Sequence, residues 1–379
     1  MKEVIMWTLS ENKTWVYLED HFDWVKDMRE TPQDPRHHAE GNVAIHTQMV
    51  LAALEKEPVF QELTIQEQEI LWASALLHDV EKYSTTVKEP DGSITSHGHA
   101  RKGALRARQI LYRNALPVKG PAAPFAIREQ ITGLVRYHGL PLWILEKPDP
   151  LKALIKASLE VNTQWLALLA KADVLGRICH DQADLLYRVD CFEEFCRENG
   201  CWGTNRAFSS DHAFMHYMQR EDSHVDYVPF ESPIMEVILM SGLPGAGKDT
   251  YIKKHFPDYP VISLDGIRTQ WDIDPADKTG NGQVIQEAKE QARTFLRRHE
   301  GFIWNATNTT RQMRSQLIDL FMSYKAKVRI VYVETPYARL SGQNRGREAV
   351  VPEKILEKLI NKLEVPAFWE AHNVIYCAD

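Results

Sequence analysis

The chain is poor in cysteine and contains no long hydrophobic run. Its five cysteines are odd in number and unevenly placed, which fits a reducing compartment, and a zinc site, though possible, is disfavoured because no Cys-x-x-Cys pair is present. We expect reduced thiols at the four that lie close together: Cys179, Cys191, Cys196 and Cys201. No apolar run approaches the ~18 residues of a membrane span, and no signal peptide heads the chain. We therefore expect a cytoplasmic protein without a membrane partner.

A strong excess of one charge is also missing. The formal net charge is −7, and residues 232–379 carry 20 Lys and Arg against 18 Asp and Glu, which leaves −9 for residues 1–231. This balance argues against a bulk nucleic-acid coat, and the C-terminal part is not basic enough to indicate nucleic acid by charge alone. With 379 residues, 44% of them hydrophobic, the chain has room for two soluble domains.

Convincing strand patterns are absent before Met235. Apolar residues recur instead at helical spacing, and Pro229 and Pro233 mark a polar stretch after them. We predict an all-α bundle over residues 1–225 and a linker over 226–233. The predicted helices are 13–30, 41–55, 65–83, 99–114, 124–138 and 151–176, with weaker patterns at 181–198 and 209–219.

Short apolar strands alternate with helices after the linker. This alternation predicts a parallel sheet covered on both faces, and hence an α/β domain over residues 234–379. The fold class is therefore multidomain. The predicted strands are 235–240, 261–264, 302–305, 327–333 and 374–377, and the predicted helices between them are 249–255, 282–298, 311–323 and 352–364.

The most specific motif follows the first of these strands. A glycine-rich turn runs from Gly242 to Gly247, Lys248 comes next, and a helical pattern begins at Asp249. Strand, G-x-x-x-x-G-K and helix in this order is the P-loop arrangement, in which backbone N–H groups and the lysine bind phosphates. We predict ATP or another NTP with Mg²⁺, bound by Gly242, Gly245, Ala246, Gly247, Lys248, Asp249 and Thr250.

Two positions depart from the usual P-loop pattern. The Ser or Thr that normally follows the lysine and binds Mg²⁺ is replaced by Asp249, with Thr250 one place later. Either Asp249 coordinates the metal itself or Thr250 substitutes for the usual hydroxyl. Asn305 stands at the end of the strand where many P-loop proteins carry an acidic metal ligand.

Charged residues beyond the P-loop are candidates for catalysis. Asp265 ends the second strand, so it would face the ligand crevice and accept the proton of an attacking hydroxyl, while Arg268 would hold a phosphate of the acceptor. The alternative is a helix N-cap aspartate with a solvated arginine. Arg345 and Arg347 are predicted on a lid loop that stabilises charge on the γ-phosphate, the alternative being an exposed basic loop.

Histidine is abundant, with 15 residues, and several histidines stand with aspartates on predicted helices. Neutral imidazole and carboxylate are natural mixed ligands for Mn²⁺, Fe²⁺, Co²⁺, Ni²⁺ or Zn²⁺. A metal so bound generates a hydroxide nucleophile near neutral pH, and two metals clamp a phosphoryl group. We predict one or two divalent transition metals, with candidate ligands His46, His78, Asp79, His99, His138 and Asp173.

The ordered set H…HD…D resembles the HD phosphohydrolase superfamily, which carries this pattern on a helical bundle. The resemblance implies that Lys82 and Arg177 contact substrate phosphate, although each could be a surface charge. It implies one metal held by His46, His78, Asp79 and Asp173, with His99 and His138 matching the members that bind a second metal. Four further residues are left open as lining the same site: His37, His38, Glu40 and His97.

The second half, over residues 235–379, resembles the kinase domain of polynucleotide 5′-kinases in its P-loop, its Asp265–Arg268 pair, its 305–308 segment and its two later arginines. Related small-molecule P-loop kinases share this outline. An HD phosphohydrolase fused in front of such a kinase resembles the bacterial HD-Pnk end-healing enzymes. The resemblance implies phosphorylation of 5′-OH ends of RNA or DNA, removal of 2′-, 2′,3′-cyclic or 3′-phosphate, and a ligase acting downstream.

The residues alone support an NTP-dependent phosphotransferase joined to a metal-dependent phosphohydrolase. A competing hypothesis is a kinase and phosphatase acting on a nucleotide or another small metabolite. A non-enzymatic hypothesis is an NTP-gated sensor whose bundle binds a nucleotide without turnover. The metal, the preference for RNA or DNA, the preferred triphosphate and the oligomeric state stay open.

Overall fold

The computed structural model of the protein describes residues 6–114, 122–274, 277–346 and 350–378. The chain divides into two compact units, Met1–Ala207 and Phe208–Asp379. The first is helical and the second contains a five-stranded parallel sheet, which confirms the predicted classes at this level. Within the described ranges, no helix has both the length and the apolar character needed to cross a bilayer.

The helices of the first unit surround one central helix. Nine consecutive residues of that helix, Glu69 to Leu77, are buried, as expected for a helix that is covered on all sides. It contacts the three helices 43–56, 125–137 and 163–175, and so brings its C-terminal end among them. The helices are α1 Trp15–His21, α2 Asp23–Arg29, α3 Val43–Lys56, α4 Pro58–Gln61, α5 Ile65–Leu77, α6 Lys82–Thr85, α7 His99–Arg113, α8 Phe125–Tyr137, α9 Leu140–Trp143, α10 Pro150–Ser158, α11 Thr163–Leu175 and α12 Gln182–Glu198.

Several boundaries in this unit differ from the prediction. The helix expected over 13–30 is broken at Phe22, which is extended and buried. The helix expected over 151–176 is likewise two helices, because Asn162 caps the second by accepting from the Gln164 amide. The prediction of no strand before Met235 is wrong: β1 Val87–Lys88 and β2 Ile94–Thr95 pair antiparallel.

All five cysteines are free thiols, as expected from their spacing. Among the described residues, no group of side chains that could hold a metal includes a cysteine. Cys196 and Cys201 are buried in the helical unit. These two therefore behave as small apolar core residues.

The second unit is an α/β fold in which every neighbouring pair of strands is parallel. The strand order is β4-β5-β3-β6-β7. The chain therefore builds one side of the sheet from β3 and then crosses to the other side, which makes the end of β3 a switch point. The elements are α13 Asp211–Gln219, β3 Met235–Ser241, α14 Lys248–His255, β4 Val261–Ser263, α15 Leu264–Gln270, α16 Lys278–Arg297, β5 Phe302–Asn305, α17 Arg311–Met322, β6 Ala326–Glu334, α18 Tyr337–Arg345, α19 Glu353–Asn361 and β7 Asn373–Ala378.

Helix α13 belongs to this second compact unit, whereas the sequence analysis places residues up to 225 in the first domain. Two contacts tie it to the sheet: Lys327 Nζ donates to Asp211 Oδ2 at 2.9 Å, and the His212 ring stacks on His372. That residues 226–233 form a linker between two functional domains stays a prediction.

Strand β3 is buried on both faces of the sheet. Val237 and Leu239 pack into one hydrophobic cluster, and Ile238 and Met240 pack into another. This continuous apolar run is typical of a parallel strand covered by helices on both sides. The apolar side chains of β3 are thus used in packing. Polar groups can be presented to a ligand at the C-terminal end of this strand.

A buried ion pair fastens the loop after β5. Arg314 is fully buried, and it donates to both carboxylate oxygens of Glu370, at 2.7 and 2.9 Å. Its Nη1 also donates to the carbonyls of Asn308 and Glu364. The Asn308 carbonyl accepts from Ser241 Oγ at 3.0 Å as well, so this arginine links the loop to the end of β3.

We expect Arg314→Leu to destabilise the second unit by about 3–5 kcal/mol, because buried Glu370 would lose both hydrogen bonds from Arg314, and its remaining ion-pair contact with Arg311 is longer, at 3.5 Å. The double variant Arg314→Leu/Glu370→Gln should lose less, since no buried charge is left uncompensated. Hydrogen exchange of the β3 amides reports this free energy for the second unit alone. Equal losses in the single and double variants would contradict the ion-pair argument.

Candidate functional site

A cavity of about 1180 Å³ opens where the strands of the second unit end. Its lining includes Lys248 after β3, Asp265 after β4, Asn305 at the end of β5, Glu334 at the end of β6 and Tyr376 in β7. All five strands therefore contribute to one cavity at the carboxyl edge of the sheet, which is where open parallel sheets bind ligands.

The P-loop needs its glycines for a close approach and for its backbone conformation. A Cβ on Gly242 would lie 2.2 Å from the Val333 carbonyl oxygen, so no larger residue fits between β3 and β6. Gly245 and Gly247 have φ values of +80° and +96°, which side-chain-bearing residues rarely adopt. Ala246, between them, is buried.

Lys248 lies over the loop that precedes it. Its Nζ donates to the carbonyls of Gly242 and Leu243, each at 2.9 Å. The ammonium group is therefore held beside the N-terminus of α14, where anions are favoured. The predicted phosphate-binding lysine and loop glycines thus lie together at one end of the cavity.

The two departures from the usual P-loop pattern contact each other. Asn305 Nδ2 donates to Asp249 Oδ1 at 2.6 Å. Both residues line the cavity, and so does Thr250, whose side chain is exposed on the first turn of α14.

Asp265 and Arg268 form an ion pair on α15, and both line the cavity. The N-cap of this helix is Ser263, whose hydroxyl accepts from the Gly266 amide, so Asp265 is not the capping residue. Arg268 Nε also donates to Asn281 Oδ1 at 2.7 Å, which fixes the guanidinium on α16. Asp265 is 66% exposed, so this end of the cavity is open to solvent.

The predicted lid arginines are placed differently. Arg345 is the last residue of α18 and not part of a loop, and its Nε donates back to the Ser341 carbonyl of the same helix. Among the described residues lining the cavity, α18 contributes Gln343 and not Arg345. The helix was missed because it begins directly after Pro336, close behind a strand. Arg347 lies outside the described residues.

In the helical unit, the six predicted metal ligands come together. Five helices supply them, either from within the helix or just after its last residue: α3, α5, α7, α8 and α11. Among these six residues, two groups of three have ligand atoms all within 4.8 Å of one another. One group is His46, His78 and Asp173, and the other is Asp79, His99 and His138.

Each imidazole of this cluster is oriented by its Nδ1 atom. The Nδ1 atoms of His78, His99 and His138 face main-chain carbonyls three residues earlier, at 2.7–2.9 Å. His46 Nδ1 faces the Gly176 carbonyl. Because a carbonyl only accepts, Nδ1 carries a hydrogen and Nε2 faces the cluster.

The inward-facing atoms of the cluster lie close to one another. The Nε2 atoms of His46 and His78 are 3.4 Å apart, and those of His99 and His138 are 3.3 Å apart. Asp79 Oδ1 is buried and accepts no hydrogen bond from the described residues, although it lies 3.4 Å from His99 Nε2. Imidazole nitrogens and carboxylate oxygens that converge this closely form a donor set that fits a divalent metal.

Charges around the cluster keep its carboxylates ionised. Burial opposes ionisation of Asp79, but His78 and Lys82 outweigh it and hold its pKa well below the usual range. Burial likewise opposes ionisation of Asp173, and Arg177 outweighs it to lower that pKa. Burial lowers the pKa of His138 to about 3, so this imidazole is neutral at physiological pH.

Lys82 and Arg177 are largely buried and are therefore not surface charges. Lys82 Nζ bonds Asp79 Oδ2 at 2.7 Å, and Arg177 pairs with Asp173 one helical turn away. Lys82 also donates to Gln33 Oε1 at 2.6 Å, and Gln33 Nε2 is buried without a partner among the described residues. The sequence analysis missed Gln33, because nothing in its spacing distinguishes it from a loop glutamine.

The sequence leaves open whether four further residues line the candidate metal site. In the structure these four residues fall into two pairs. Glu40 accepts from both His38 Nδ1 at 2.8 Å and His46 Nδ1 at 2.9 Å, so it orients His46 from behind. His37 and His97 are exposed and belong to none of the ligand groups found among the described residues.

Comparison with known proteins identifies the second unit. The family model AAA_33, described as an AAA domain, matches residues 237–366. The second unit is thus a kinase-like P-loop domain, which implies phosphotransfer with a nucleotide and Mg²⁺. The match covers less than half of the chain and leaves the helical unit outside it.

A solved structure described as a candidate kinase from Chloroflexus aurantiacus J-10-fl is 13% identical. The alignment covers 39% of this chain and 87% of that chain, with a TM-score of 0.33. A TM-score this low adds no argument about fold or function.

We expect Gly242→Ala to destabilise the second unit by about 1–3 kcal/mol, because its Cβ would collide with the Val333 carbonyl at a strained φ. Gly342→Ala on α18 is the matched control. It meets nothing within 4 Å and should gain about 0.5–1 kcal/mol from helix propensity. Hydrogen exchange of the sheet amides measures both, and a neutral Gly242→Ala would contradict the close contact.

Proposed function

We propose that this protein is a bifunctional enzyme that heals nucleic-acid ends. The P-loop unit would phosphorylate 5′-OH ends of RNA or DNA with ATP or another NTP. The helical unit would remove a 2′-, 2′,3′-cyclic or 3′-phosphate by metal-dependent hydrolysis. The observation that carries the proposal is the convergence of six histidine and aspartate ligands in a chain that also contains a kinase-like P-loop domain.

The kinase half of the proposal rests on the cavity at the sheet edge. Lys248 and the loop glycines would hold the triphosphate, and Asp265 would accept the proton of the attacking hydroxyl. Arg268 is fixed by Asp265 and Asn281, so it would bind a phosphate of the acceptor without reorganising. The exposure of Asp265 suits a long acceptor, because the rest of a polynucleotide can remain in solvent.

The hydrolase half rests on the cluster in the helical unit. One or two divalent metals of the Mn, Fe, Co, Ni or Zn type, when bound, would supply a hydroxide nucleophile and polarise the phosphoryl group. Glu40 would keep His46 oriented. Lys82 and Arg177 lie beside the ligand carboxylates, so their remaining donors would bind the phosphate oxygens of the substrate.

The two activities complement each other chemically. A ligase that activates a 5′-phosphate for attack by a 3′-OH cannot join a 5′-OH end to a 2′- or cyclic phosphate, whereas it can join the two healed ends. A ligase would therefore act downstream on the products. A small-molecule kinase and phosphatase, or a nucleotide sensor, are the alternatives that the experiments below distinguish.

We expect Lys248→Ala and Asp265→Ala each to lower 5′-phosphorylation by at least about 100-fold, because they remove phosphate binding and the general base. Phosphohydrolysis should be retained. Lys253→Ala is the matched control, since Lys253 is exposed on the same helix and does not line the cavity. Transfer of labelled phosphate from ATP to a 5′-OH oligonucleotide measures the effect.

We expect Asp79→Asn to abolish phosphohydrolysis and lower bound metal, because it removes the ligand carboxylate at the centre of the cluster while keeping its shape. Exposed Asp190→Asn is the control. Metal content by mass spectrometry and release of phosphate are the measurements. Loss of both activities in a folded Asp79→Asn variant would contradict two separate sites.

One substrate tests the whole proposal. An RNA with a 5′-OH and a terminal 2′-phosphate, incubated with labelled ATP, Mg²⁺ and Mn²⁺, should gain 5′ label and lose its 2′-phosphate. An unchanged RNA alongside hydrolysis of free nucleotides would favour the small-metabolite alternative. Tight nucleotide binding without any turnover would favour the sensor.

A further inference from the structure

The contact between Asp249 and Asn305 joins two positions that are 56 residues apart in the chain. Asp249 directly follows the P-loop lysine on the first turn of α14, and Asn305 ends β5. In P-loop proteins a hydroxyl usually occupies the first position and an acidic residue is a second metal ligand. Here the carboxylate stands on the helix and the neutral side chain on the strand.

With Asp at position 249 and Asn at position 305, this pair still contains one carboxylate. A Mg²⁺–nucleotide site needs such a carboxylate. Mg²⁺ in such sites is bound by one or two carboxylates together with the phosphates. Asp249 is exposed into the cavity beside Lys248, so its carboxylate is accessible to a cation that binds there. Asn305 Nδ2 donates to one of its oxygens and so fixes its direction.

We propose that Asp249 is the protein's Mg²⁺ ligand in the P-loop site and that Asn305 positions it, the two having exchanged chemical roles. The proposal needs only the use of a nucleotide by the kinase-like domain and is independent of the phosphate acceptor. Thr250 is the rival ligand. It lies one residue further along α14, and successive residues on a helix are about 100° apart, so the two side chains face differently.

A Mg²⁺ ligand at Asp249 makes the nucleotide affinity depend on Mg²⁺ in a way that a purely structural hydrogen bond would not. Without a cation, a carboxylate beside the phosphates repels the nucleotide, and with Mg²⁺ between them it attracts. Removing its charge should therefore weaken nucleotide binding in Mg²⁺ and leave it unchanged or tighter in EDTA. A residue that only supports the loop would weaken binding equally in both conditions.

The experiment measures the affinity of the full chain for a fluorescent β,γ-imido analogue of ATP, once with Mg²⁺ and once with EDTA. Asp249→Asn should lose at least about tenfold in Mg²⁺ and nothing in EDTA. Asp249→Asn/Asn305→Asp, which returns the carboxylate to the strand, should recover most of the Mg²⁺ effect. Analogue binding that persists in Lys248→Ala, measured in each condition, is the background to subtract for any binding in the helical unit.

Three results would overturn the proposal. If Asp249→Asn weakened binding of the analogue equally in Mg²⁺ and in EDTA, the contact between Asp249 and Asn305 would be only structural. Loss of the Mg²⁺ effect in Thr250→Val but not in Asp249→Asn would assign the hydroxyl as ligand. A double variant no better than Asp249→Asn would refute the exchange. If the unaltered protein bound the analogue in neither condition, the nucleotide site itself would fail, whereas a failure of end healing leaves all these readouts intact.

Discussion

The hydrogen bonds from imidazole Nδ1 to main-chain carbonyls are the constraint on which the helical site depends. Three of the histidines use the same local geometry, with the ring bonded to the carbonyl three residues earlier. This geometry fixes both the tautomer and the ring direction before any ligand arrives. The central helix α5 then needs only to end at the right residue, because His78 and Asp79 follow its last turn and enter the middle of the bundle.

The fold was largely predictable because its periodicities are strong. The apolar runs of β3 and β5 marked these strands to within a residue, and the alternation with helices indicated the parallel sheet. Helices α15 and α18 were not predictable in this way, since each is short and begins almost directly after a strand. The breaks at Phe22 and Asn162 depend on burial and capping, which compete with helical spacing without erasing it.

The candidate ligands of both sites could be found from residue type and order, but their contacts could not. Asp249 and Asn305 each departed from the usual pattern at positions that serve one metal site in P-loop proteins, but the sequence does not show the hydrogen bond that joins them. Glu40 could be noted near His46, while its bonds to two imidazoles depend on how the 31–42 segment folds back. Gln33 carried no signal at all, because its role follows from its contact with Lys82.

Each buried carboxylate of the cluster has its own cation within the same stretch of chain. Asp79 is matched by Lys82 three residues later, and Asp173 by Arg177 four residues later. A small zinc module unfolds without its ion because nothing else compensates its ligands. Here the compensation is local and travels with the backbone, so the bundle can assemble without an ion among its candidate ligands. Under the proposed function, metal supply would then limit how much of the protein is active, and not how much of it is folded.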